Sequence, residues 1–483
     1  MAQKLPNAIR PSGCESGDNM IMNLSINQVS GLPKRETAML ASLLNVYNSH
    51  AAKNATKERY YEGKIPLSEV NLGIALPQSI RGLEIGCAWG AKAVDVLASR
   101  SMFDGFVSAE GEDAEELAQI VDGNRLIAQY IKACKDELKY GCTFATLSAD
   151  DKTGVRIRFH SPQTAAAKWS GEKERIDYGF AIVSTSPSNE ELLWQPDTIN
   201  LYTDDAIWVL SRSGDKWSAY PYPHRMGRPL MVALTWDATS TKPFGRSRIK
   251  EPIRRLIQGY VRTIANATIG LEFSTAPQKY LLGVTDDQYD KVINQKFKQY
   301  IGNILASTTN PETGEKPTFG QLQQGNISPH TEMLRILATQ FSAATGLTVT
   351  DTGVVNDANP TSSDAILAQS QTLVSLAEQL NTSNGDALRV IAQMALAIAN
   401  DTTIEELTDE QRKIMAHFKN PAMLSVAVTA DAAIKIASAR PAFAATDVFA
   451  EMIGFDQADI RRIKAQERRN AGMSLAMSLE DET

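Results

Sequence analysis

The spacing of apolar positions predicts a helical start, a strand-rich middle and a mainly helical second half. Apolar residues recur at three- and four-residue intervals over 33–63, so they share one face of a helix. The same period predicts helices over 79–100 and 115–139. The apolar face of the first helix holds Leu40, Leu43, Leu44 and Tyr47.

The period changes after residue 140. Residues 155–159 alternate strictly between apolar and charged side chains, as a half-buried strand does. Ser213-Gly214-Asp215 separates two such segments and predicts a hairpin. Because strands and helices do not alternate, we expect an α+β fold with an antiparallel meander. The predicted strands are 143–147, 155–159, 178–184, 199–202, 206–211, 216–220 and 230–236.

The second half reads as two long helices separated by a small insert, followed by a loop and a third long helix. We predict the first helix after Pro243-Phe244-Gly245, the insert at 276–328 and the returning helix at 331–345. The third helix should run to Ala399, with a kink or break at Asn384-Gly385-Asp386 because glycine and asparagine disfavour helix interiors. The insert is expected to hold strands 279–284 and 303–307 and a helix 286–301, and the C-terminal part is expected to be helical.

Composition narrows the class of protein. Apolar residues are 43% and charged residues 22% of the 483, which is ordinary globular usage. The net charge of −7 excludes a globally basic nucleic-acid binder. The four cysteines form no close pair, which is typical of a reduced, cytoplasmic protein. We find no targeting segment and no apolar stretch long enough to span a bilayer.

One string resembles an enzyme motif. Leu83-Glu84-Ile85-Gly86-Cys87-Ala88-Trp89-Gly90 is similar to the first motif of class I methyltransferases, where a glycine-rich turn approaches S-adenosylmethionine. Against this interpretation, Ala88 replaces the middle glycine, and no alternating β/α pattern follows. Packing of one helix face explains the string as well. The sequence contains no G-x-x-x-x-G-K-[ST], H-E-x-x-H, G-x-S-x-G or calcium-loop pattern, and its five dispersed histidines show no metal-ligand spacing. We therefore expect no metal, no cofactor and no catalytic residue.

The order of elements after Pro243 carries the strongest family signal. It resembles the portal proteins of tailed bacteriophages, in particular the SPP1-type family found in phages of actinobacteria, over about residues 30 to 470. Local strings that look like this family are Pro243-Phe244-Gly245-Arg246-Ser247-Arg248-Ile249, Ala344-Thr345-Gly346-Leu347, Tyr60-Tyr61-Glu62-Gly63, Leu72-Gly73-Ile74 and Ala430-Asp431-Ala432 with Lys435.

The resemblance implies a portal fold that assembles into a ring, usually of twelve subunits. Such a fold has an α/β wing, a helical stem, a small α/β clip, a long kinked helix and a short helical crown. The corresponding segments are a flexible N-terminal arm 1–22, wing 23–244, outgoing stem helix 245–275, clip 276–328, returning stem helix 329–346, tunnel loop 347–361, long wing helix 362–400, wing return 401–428, and crown with C-terminal tail 429–483.

The resemblance also implies site residues. A channel for DNA must not bind tightly, because each phosphate that Lys or Arg neutralises adds affinity and therefore drag. A loop of acidic, amide and small apolar side chains suits this need. The tunnel-loop residues expected to face DNA are Thr350, Asp351, Val354, Val355, Asn356 and Asp357. The basic stem face would comprise Arg248, Lys250, Arg254, Arg255 and Arg262. The clip residues expected to dock terminase and adaptor are Asn310, Glu312, Glu315 and Lys316.

The implied function is a non-enzymatic conduit at one capsid vertex, through which double-stranded DNA is packaged and ejected. The implied partners are further copies of the chain, weakly and non-specifically bound DNA, the terminase large subunit, a head-tail adaptor, and the major capsid and scaffolding proteins, with no membrane. Assembly would occur in the host cytoplasm and the product would lie in the virion. The alternatives are the methyltransferase and another structural protein of the capsid or tail.

Overall fold

Strands dominate residues 142–235, and helices dominate most of the remaining chain. The computed structural model describes residues 24–26, 28–65, 85–107, 115–150, 154–187, 194–275, 279–282, 314, 318–321, 326–354, 363–422, 426–455, 459–460 and 462–470. The strands are β1 (Val29–Ser30), β2 (Phe103–Val107), β3 (Cys142–Asp150), β4 (Gly154–His160), β5 (Ala165–Ser170), β6 (Arg175–Pro187), β7 (Trp194–Tyr202), β8 (Ala206–Ser213), β9 (Lys216–Pro223), β10 (Met231–Thr235), β11 (Lys279–Leu282), β12 (Thr318–Gln321) and β13 (Met415–Phe418). The α-helices are α1 (Lys34–Glu62), α2 (Trp89–Ala98), α3 (Glu115–Asn124), α4 (Leu126–Tyr140), α5 (Glu251–Thr275), α6 (Ser328–Thr345), α7 (Ser363–Ala399), α8 (Asp409–Arg412), α9 (Val426–Ala439), α10 (Pro441–Ala444) and α11 (Asp447–Ile453). Short 3-10 helices lie at Thr350–Thr352 and Ile404–Glu406. The α+β class is confirmed.

The predicted antiparallel meander is confirmed for β6 to β9, whereas β3, β4 and β10 form a separate antiparallel sheet. Strands β5 to β9 pair in sequence order, and β1 adds a two-residue parallel pairing at β9. Ser213 of β8 pairs with Lys216 of β9, so the hairpin forms where it was expected. Gly214 between them has φ of 62°, which glycine adopts without steric cost. Local alternation of apolar and polar positions was therefore a sufficient signal for β6 to β9, but it did not predict β1 and β5 of the same sheet.

Two hydrophobic cores lie on different sides of the strand region. Helix α1 packs on the six-stranded sheet, where Leu43 and Tyr47 join Phe180 and the Tyr47 and Phe180 rings lie 5.8 Å apart. Tyr47 also donates a hydrogen bond to the carbonyl of Gln163, at 2.7 Å. The larger core gathers α2, α4, α5, α6 and α7 around the sheet β10-β3-β4. The α5–α6 pair is thus attached to the strand region through the larger core.

Helix α7 runs without interruption through Asn384-Gly385-Asp386, so the predicted break is wrong. The Asn384 side chain is fully buried and donates to Tyr130 Oη at 2.9 Å and to Glu137 Oε2 at 2.8 Å. Propensity costs of this kind are about 0.5–1 kcal/mol per residue. Hydrogen bonds in the core and the apolar residues on either side outweigh that cost.

The predicted helix over 79–100 is shorter in the structure. Residues 85–88 are not helical, and α2 begins only at Trp89. Gly86 instead forms an isolated antiparallel bridge with Lys64. The helical spacing of apolar residues over 79–100 therefore predicted a helix start that lies too early in the chain.

The helix predicted over 115–139 is divided into α3 and α4 at Arg125, whose φ is 50°. Asn124 explains the break, because its side chain is bonded to strand β4 rather than to solvent. Its amide nitrogen donates to the Val155 carbonyl at 3.0 Å, and its amide oxygen accepts from the Ile157 N–H at 2.9 Å. The helix stops where this asparagine is held against the sheet.

Strands β1, β2, β5, β12 and β13 were not predicted. β2 pairs with β13, which lies about three hundred residues further along the chain, and Val107 is opposite Met415. β11 pairs with β12 in a two-stranded antiparallel sheet within the predicted insert. The expected helix 286–301 and strand 303–307 lie outside the described residues, as does the N-terminal arm 1–22.

The C-terminal part is helical, as expected. It contains α9, α10 and α11, and residues 462–470 are also helical. Lys464 forms an ion pair with Asp447 at 2.6 Å and so ties the last helical segment to α11. Among the helices of the described residues, we find none with the length and apolar character required to cross a bilayer.

Candidate functional site

The predicted tunnel loop begins as a compact turn at the end of α6. Gly346 ends that helix with φ of 72°. The Asp351 carboxylate then accepts from the Thr348 backbone N–H at 3.0 Å and from the Thr348 hydroxyl at 2.8 Å. Gly353, with φ of 75°, closes the 3-10 helix that follows. The start of the segment is therefore an ordered turn stabilised by its own side chains.

Three of the predicted loop residues fall within the described structure. Thr350 is exposed, Asp351 is half-buried in the turn, and Val354 packs against the larger core. Val355, Asn356 and Asp357 lie outside the described residues. The structure thus brings Thr350 to the surface, while the Asp351 carboxylate is already engaged by Thr348. That Thr350, Asp351 and Val354 face DNA stays a prediction.

Trp89 is a functional candidate that the sequence suggested only as a core residue. Its indole N–H donates to the carbonyl of Thr352 at 3.1 Å, and both groups are buried. The indole ring stacks on Phe341 of α6 and lies against Tyr260 of α5, with centroids 4.8 Å apart in each case. Trp89 therefore contacts both helices of the α5–α6 pair and the turn that follows them. A tryptophan at a helix start was the available signal, but its partner is 263 residues away.

Arg248 does not belong to an exposed basic face, and this prediction is wrong. It lies before α5 begins, and only 8% of it is exposed. Its guanidinium donates to the Ala93 carbonyl at 2.6 Å and to the Thr345 carbonyl at 2.5 Å, and it lies over the Trp236 ring. Burial lowers the pKa of Arg248 to about 10, so the group stays charged at neutral pH. Its physical role is to join α2 to the end of α6.

The other predicted stem cations differ in their surroundings, and only Arg255 and Arg262, seven residues apart on α5, are both exposed on that helix. Lys250 pairs with Asp237 at 2.7 Å, and Arg255 pairs with Glu251 at 3.2 Å on the solvent side of α5. The Arg254 guanidinium lies 5.9 Å from the Tyr60 ring centroid, and Arg262 is exposed. Exposed ion pairs of this kind contribute about 0–1 kcal/mol.

The predicted clip residues Asn310, Glu312, Glu315 and Lys316 lie outside the described residues. Within the insert, the structure describes the antiparallel pair β11–β12, in which Lys279 is opposite Gln321. Gly314, between the two strands in sequence, has φ of 71°. Among the described residues, no three His, Cys, Asp or Glu side chains are grouped so that they could hold a metal ion.

In the part of the string 83–90 that the structure describes, Gly90 allows two helices to pack closely. A Cβ at Gly90 would lie 1.9 Å from the Tyr60 carbonyl oxygen, because α2 meets the end of α1 at that point. A Cβ at Gly86 would meet nothing within 4 Å. In the described sheets, neighbouring strands are antiparallel apart from the short β1–β9 pairing. A class I methyltransferase requires a parallel, doubly wound sheet, so that alternative is wrong in fold.

Comparison with protein families decides the class. The family model for the phage portal protein, SPP1 Gp6-like, matches residues 40–473 of this chain. The chain belongs to the phage portal protein family. The resemblance inferred from the order of elements after Pro243 is therefore confirmed, and with it the prediction of a phage portal protein.

Relatives of this portal-family chain carry the same name. It is 23% identical to the portal protein of Mycobacterium phage L5 over 413 residues, which is 82% of this chain and 80% of the relative. It is 22% identical to the portal protein of Mycobacterium phage D29 over 422 residues, 84% of each chain.

Overall similarity to solved structures is low. A chain in the virion of a native gene transfer agent particle gives a TM-score of 0.43 at 11% identity, covering 76% of this portal-family chain and 89% of that chain. A chain in the neck of an empty gene transfer agent particle, computed with C6 symmetry, gives a TM-score of 0.43 at 10% identity. The match covers 73% of this portal-family chain and 86% of that chain.

Proposed function

We propose that this portal-family chain forms a ring at one capsid vertex and that double-stranded DNA is packaged and ejected through its axis. Twelve copies would assemble, with 23–244 as the wing, 245–275 and 329–346 as the stem, and 347–361 as the tunnel loop. Residues 276–328 would form the clip, 362–400 the long wing helix, and 429–483 the crown and tail. The chain then acts as a structural conduit of the virion rather than as an enzyme.

The observation that carries the ring proposal is a group of large apolar side chains that stay exposed on the α5–α6 hairpin, one on α5 and two on the same face of α6. Ile336 is 52% exposed, Met333 is 43% exposed, and Leu271 is 45% exposed. The inner side of the same hairpin is closely packed, since a Cβ at Gly259 would lie 3.1 Å from the Leu337 side chain. Large apolar side chains that repeat along one exposed helix face are typical of an interface between subunits. In a ring, the hairpin of the next subunit would cover them.

The loop and the clip complete the proposed function. The 347–361 segment follows directly from the stem helix, so in a ring its twelve copies would encircle DNA. Thr350 offers an uncharged polar side chain, and acidic and small apolar residues continue the segment, so attraction to phosphate would be weak. Docking of the terminase large subunit and then of a head-tail adaptor is assigned to the clip, through Asn310, Glu312, Glu315 and Lys316. Contact with the capsid and scaffolding proteins is assigned to the wing.

Replacing Ile336 with lysine is expected to weaken ring assembly by at least about tenfold in the protomer concentration required. A charge in a subunit interface without a partner is costly, and about 1.4 kcal/mol corresponds to a factor of ten. Analytical ultracentrifugation and negative-stain images down the ring axis measure the assembly. Thr331→Lys, which places the same charge on a different face of α6, is the matched control and should assemble normally.

Two results would contradict the ring proposal. The first is a wild-type protein that stays monomeric at every concentration and ionic strength tested. The second is an Ile336→Lys variant whose rings form as readily as those of the wild type. Circular dichroism of both lysine variants separates loss of assembly from loss of the fold.

Deletion of residues 354–357 is expected to leave ring assembly intact and to impair DNA packaging strongly. The deletion shortens the proposed loop after Gly353, so the Asp351 turn and its bonds to Thr348 stay in place. Packaging is measured as the DNA protected from nuclease in proheads built with the variant. Packaging at the wild-type rate would reject the assignment of this segment to the channel wall.

A further inference from the structure

Trp89 joins three elements at the base of the α5–α6 hairpin. Its ring is held between Phe341 of α6 and Tyr260 of α5, and its N–H is bonded to the Thr352 carbonyl. This hydrogen bond is buried, so water cannot replace it without a rearrangement. The contact spans the stem helices and the first turn of the proposed tunnel loop.

The turn that Trp89 holds is internally stiff. Asp351 accepts two hydrogen bonds from Thr348, and the Thr352 hydroxyl donates to the Val349 carbonyl at 2.6 Å. Backbone N–H groups of 351, 352 and 353 donate to carbonyls three residues earlier. Because the turn is a unit, a bond to its Thr352 carbonyl positions the whole of 348–353.

The donor is itself fixed in place. Gly90, the next residue, lies so close to the Tyr60 carbonyl that α2 cannot shift toward α1. Arg248 binds the Ala93 carbonyl of α2 and the Thr345 carbonyl at the end of α6. Helix α2 is therefore held in place, and the indole N–H of Trp89 points from it toward the turn. Packing of the ring against Phe341 and Tyr260 would not by itself require the N–H to point toward the Thr352 carbonyl.

We propose that Trp89 is a positioning residue for the tunnel loop: its indole N–H holds the Thr352 carbonyl and so sets where the loop leaves the stem. The proposal rests on the assignment of 347–361 to the channel wall. Its structural part, the latch between Trp89 and Thr352, stands or falls independently of that assignment. The hydrogen bond would then couple α2 to the loop, in addition to the direct chain connection from α6.

Hydrogen exchange of assembled rings tests the latch. Trp89→Phe removes the donor and keeps an aromatic ring, so exchange of the amides of 351–353 is expected to be about tenfold faster than in the wild type. Trp208→Phe is the matched control. Its buried indole nitrogen has no hydrogen-bond partner among the described residues, so the same substitution there should leave 351–353 unchanged. Unchanged exchange of 351–353 in Trp89→Phe would overturn the latch.

A second variant covers the case in which Trp89→Phe fails to assemble. Incorporation of β-(3-benzothienyl)alanine at position 89 replaces the N–H by sulfur and keeps the size of the ring system. Faster exchange of 351–353 in this variant supports the latch, and wild-type exchange rejects it.

DNA packaging in the same rings separates the latch from the proposed function. Faster exchange together with slower packaging supports both the latch and its positioning role. Faster exchange with wild-type packaging overturns the positioning role, and the deletion of 354–357 then shows whether the loop assignment has failed as well. Impaired packaging in that deletion would leave the proposed function standing while the role of Trp89 in it is rejected.

Discussion

The wild-type protein is expected to lose stability as pH rises from about 5 to about 8, and Glu137→Gln is expected to remove this loss. Burial raises the pKa of the Glu137 carboxyl from the ordinary 4.5 to about 8, so the folded protein holds a proton there that the unfolded chain releases. The contribution of this group is fully present below the unfolded pKa and is lost as pH rises through the folded one. Glutamine is neutral at every pH and removes the effect.

The surroundings of Glu137 explain why the carboxyl stays neutral. The side chain is fully buried, Oε2 accepts from Asn384 on α7, and Oε1 has no partner among the described residues. The titratable groups that interact with it are Tyr130 and Cys134 on α4 and Cys142 on β3. Burial raises the pKa of each of these three groups, so none of them supplies a positive charge to a carboxylate.

Denaturant unfolding at a fixed protomer concentration measures this pH dependence. The difference in unfolding free energy between Glu137→Gln and wild type should grow by about 1.4 kcal/mol per pH unit over that window, to about 4 kcal/mol. Glu410→Gln, a change at an exposed glutamate of α8, should leave the pH dependence as it is. Parallel pH curves for Glu137→Gln and wild type would contradict a neutral carboxyl in the core.

Gly90→Ala is expected to lower the free energy of unfolding by about 3 kcal/mol or more. The added methyl group would lie 1.9 Å from the Tyr60 carbonyl oxygen and 2.7 Å from its carbon, which are backbone atoms of α1. Backbone cannot move aside as a flexible side chain can, so α1 and α2 must separate. Separation would also pull Trp89 away from Phe341 and Tyr260.

Gly86→Ala is the matched control for this variant, in the same glycine string. A Cβ at Gly86 has no neighbour within 4 Å, so the change should stay within about 0.5 kcal/mol. Urea unfolding monitored by tryptophan fluorescence compares the two. Equal effects at both positions would mean that the close approach of α1 and α2 is not what requires glycine at 90.

Local patterns predicted the parts of the fold whose partners are near in sequence. The β6 to β9 meander follows from alternation and from the Ser213-Gly214-Asp215 turn, because each strand pairs with its sequence neighbour. β2 and β13 were missed because their pairing joins residues about three hundred positions apart. The continuity of α7 was missed because helix propensity describes the chain alone, whereas Asn384 is stabilised by Tyr130 and Glu137.

The candidate site was predictable in its segments but not in its contacts. The order of elements after Pro243 predicted the two helices that the structure has as α5 and α6, while the assignment of 347–361 to a tunnel loop stays a prediction. Arg248 was misassigned because a basic residue next to a basic helix looks exposed in sequence, and only the structure shows its bonds to Ala93 and Thr345. The bond from Trp89 to Thr352 has no sequence signal, since neither residue type nor spacing identifies the acceptor.

The two carbonyls that Arg248 binds have a consequence for how this chain can change. One belongs to Ala93, and the other to Thr345, 97 positions after Arg248 itself. The hairpin and its insert therefore leave the body of the protein and return to it at one place, where Arg248, Trp89 and the larger core hold both ends. Doubling the length of such a loop costs only about 0.6 kcal/mol in closure entropy. We therefore expect the insert between α5 and α6 to tolerate changes in length with little effect on the stability of the rest of the protein.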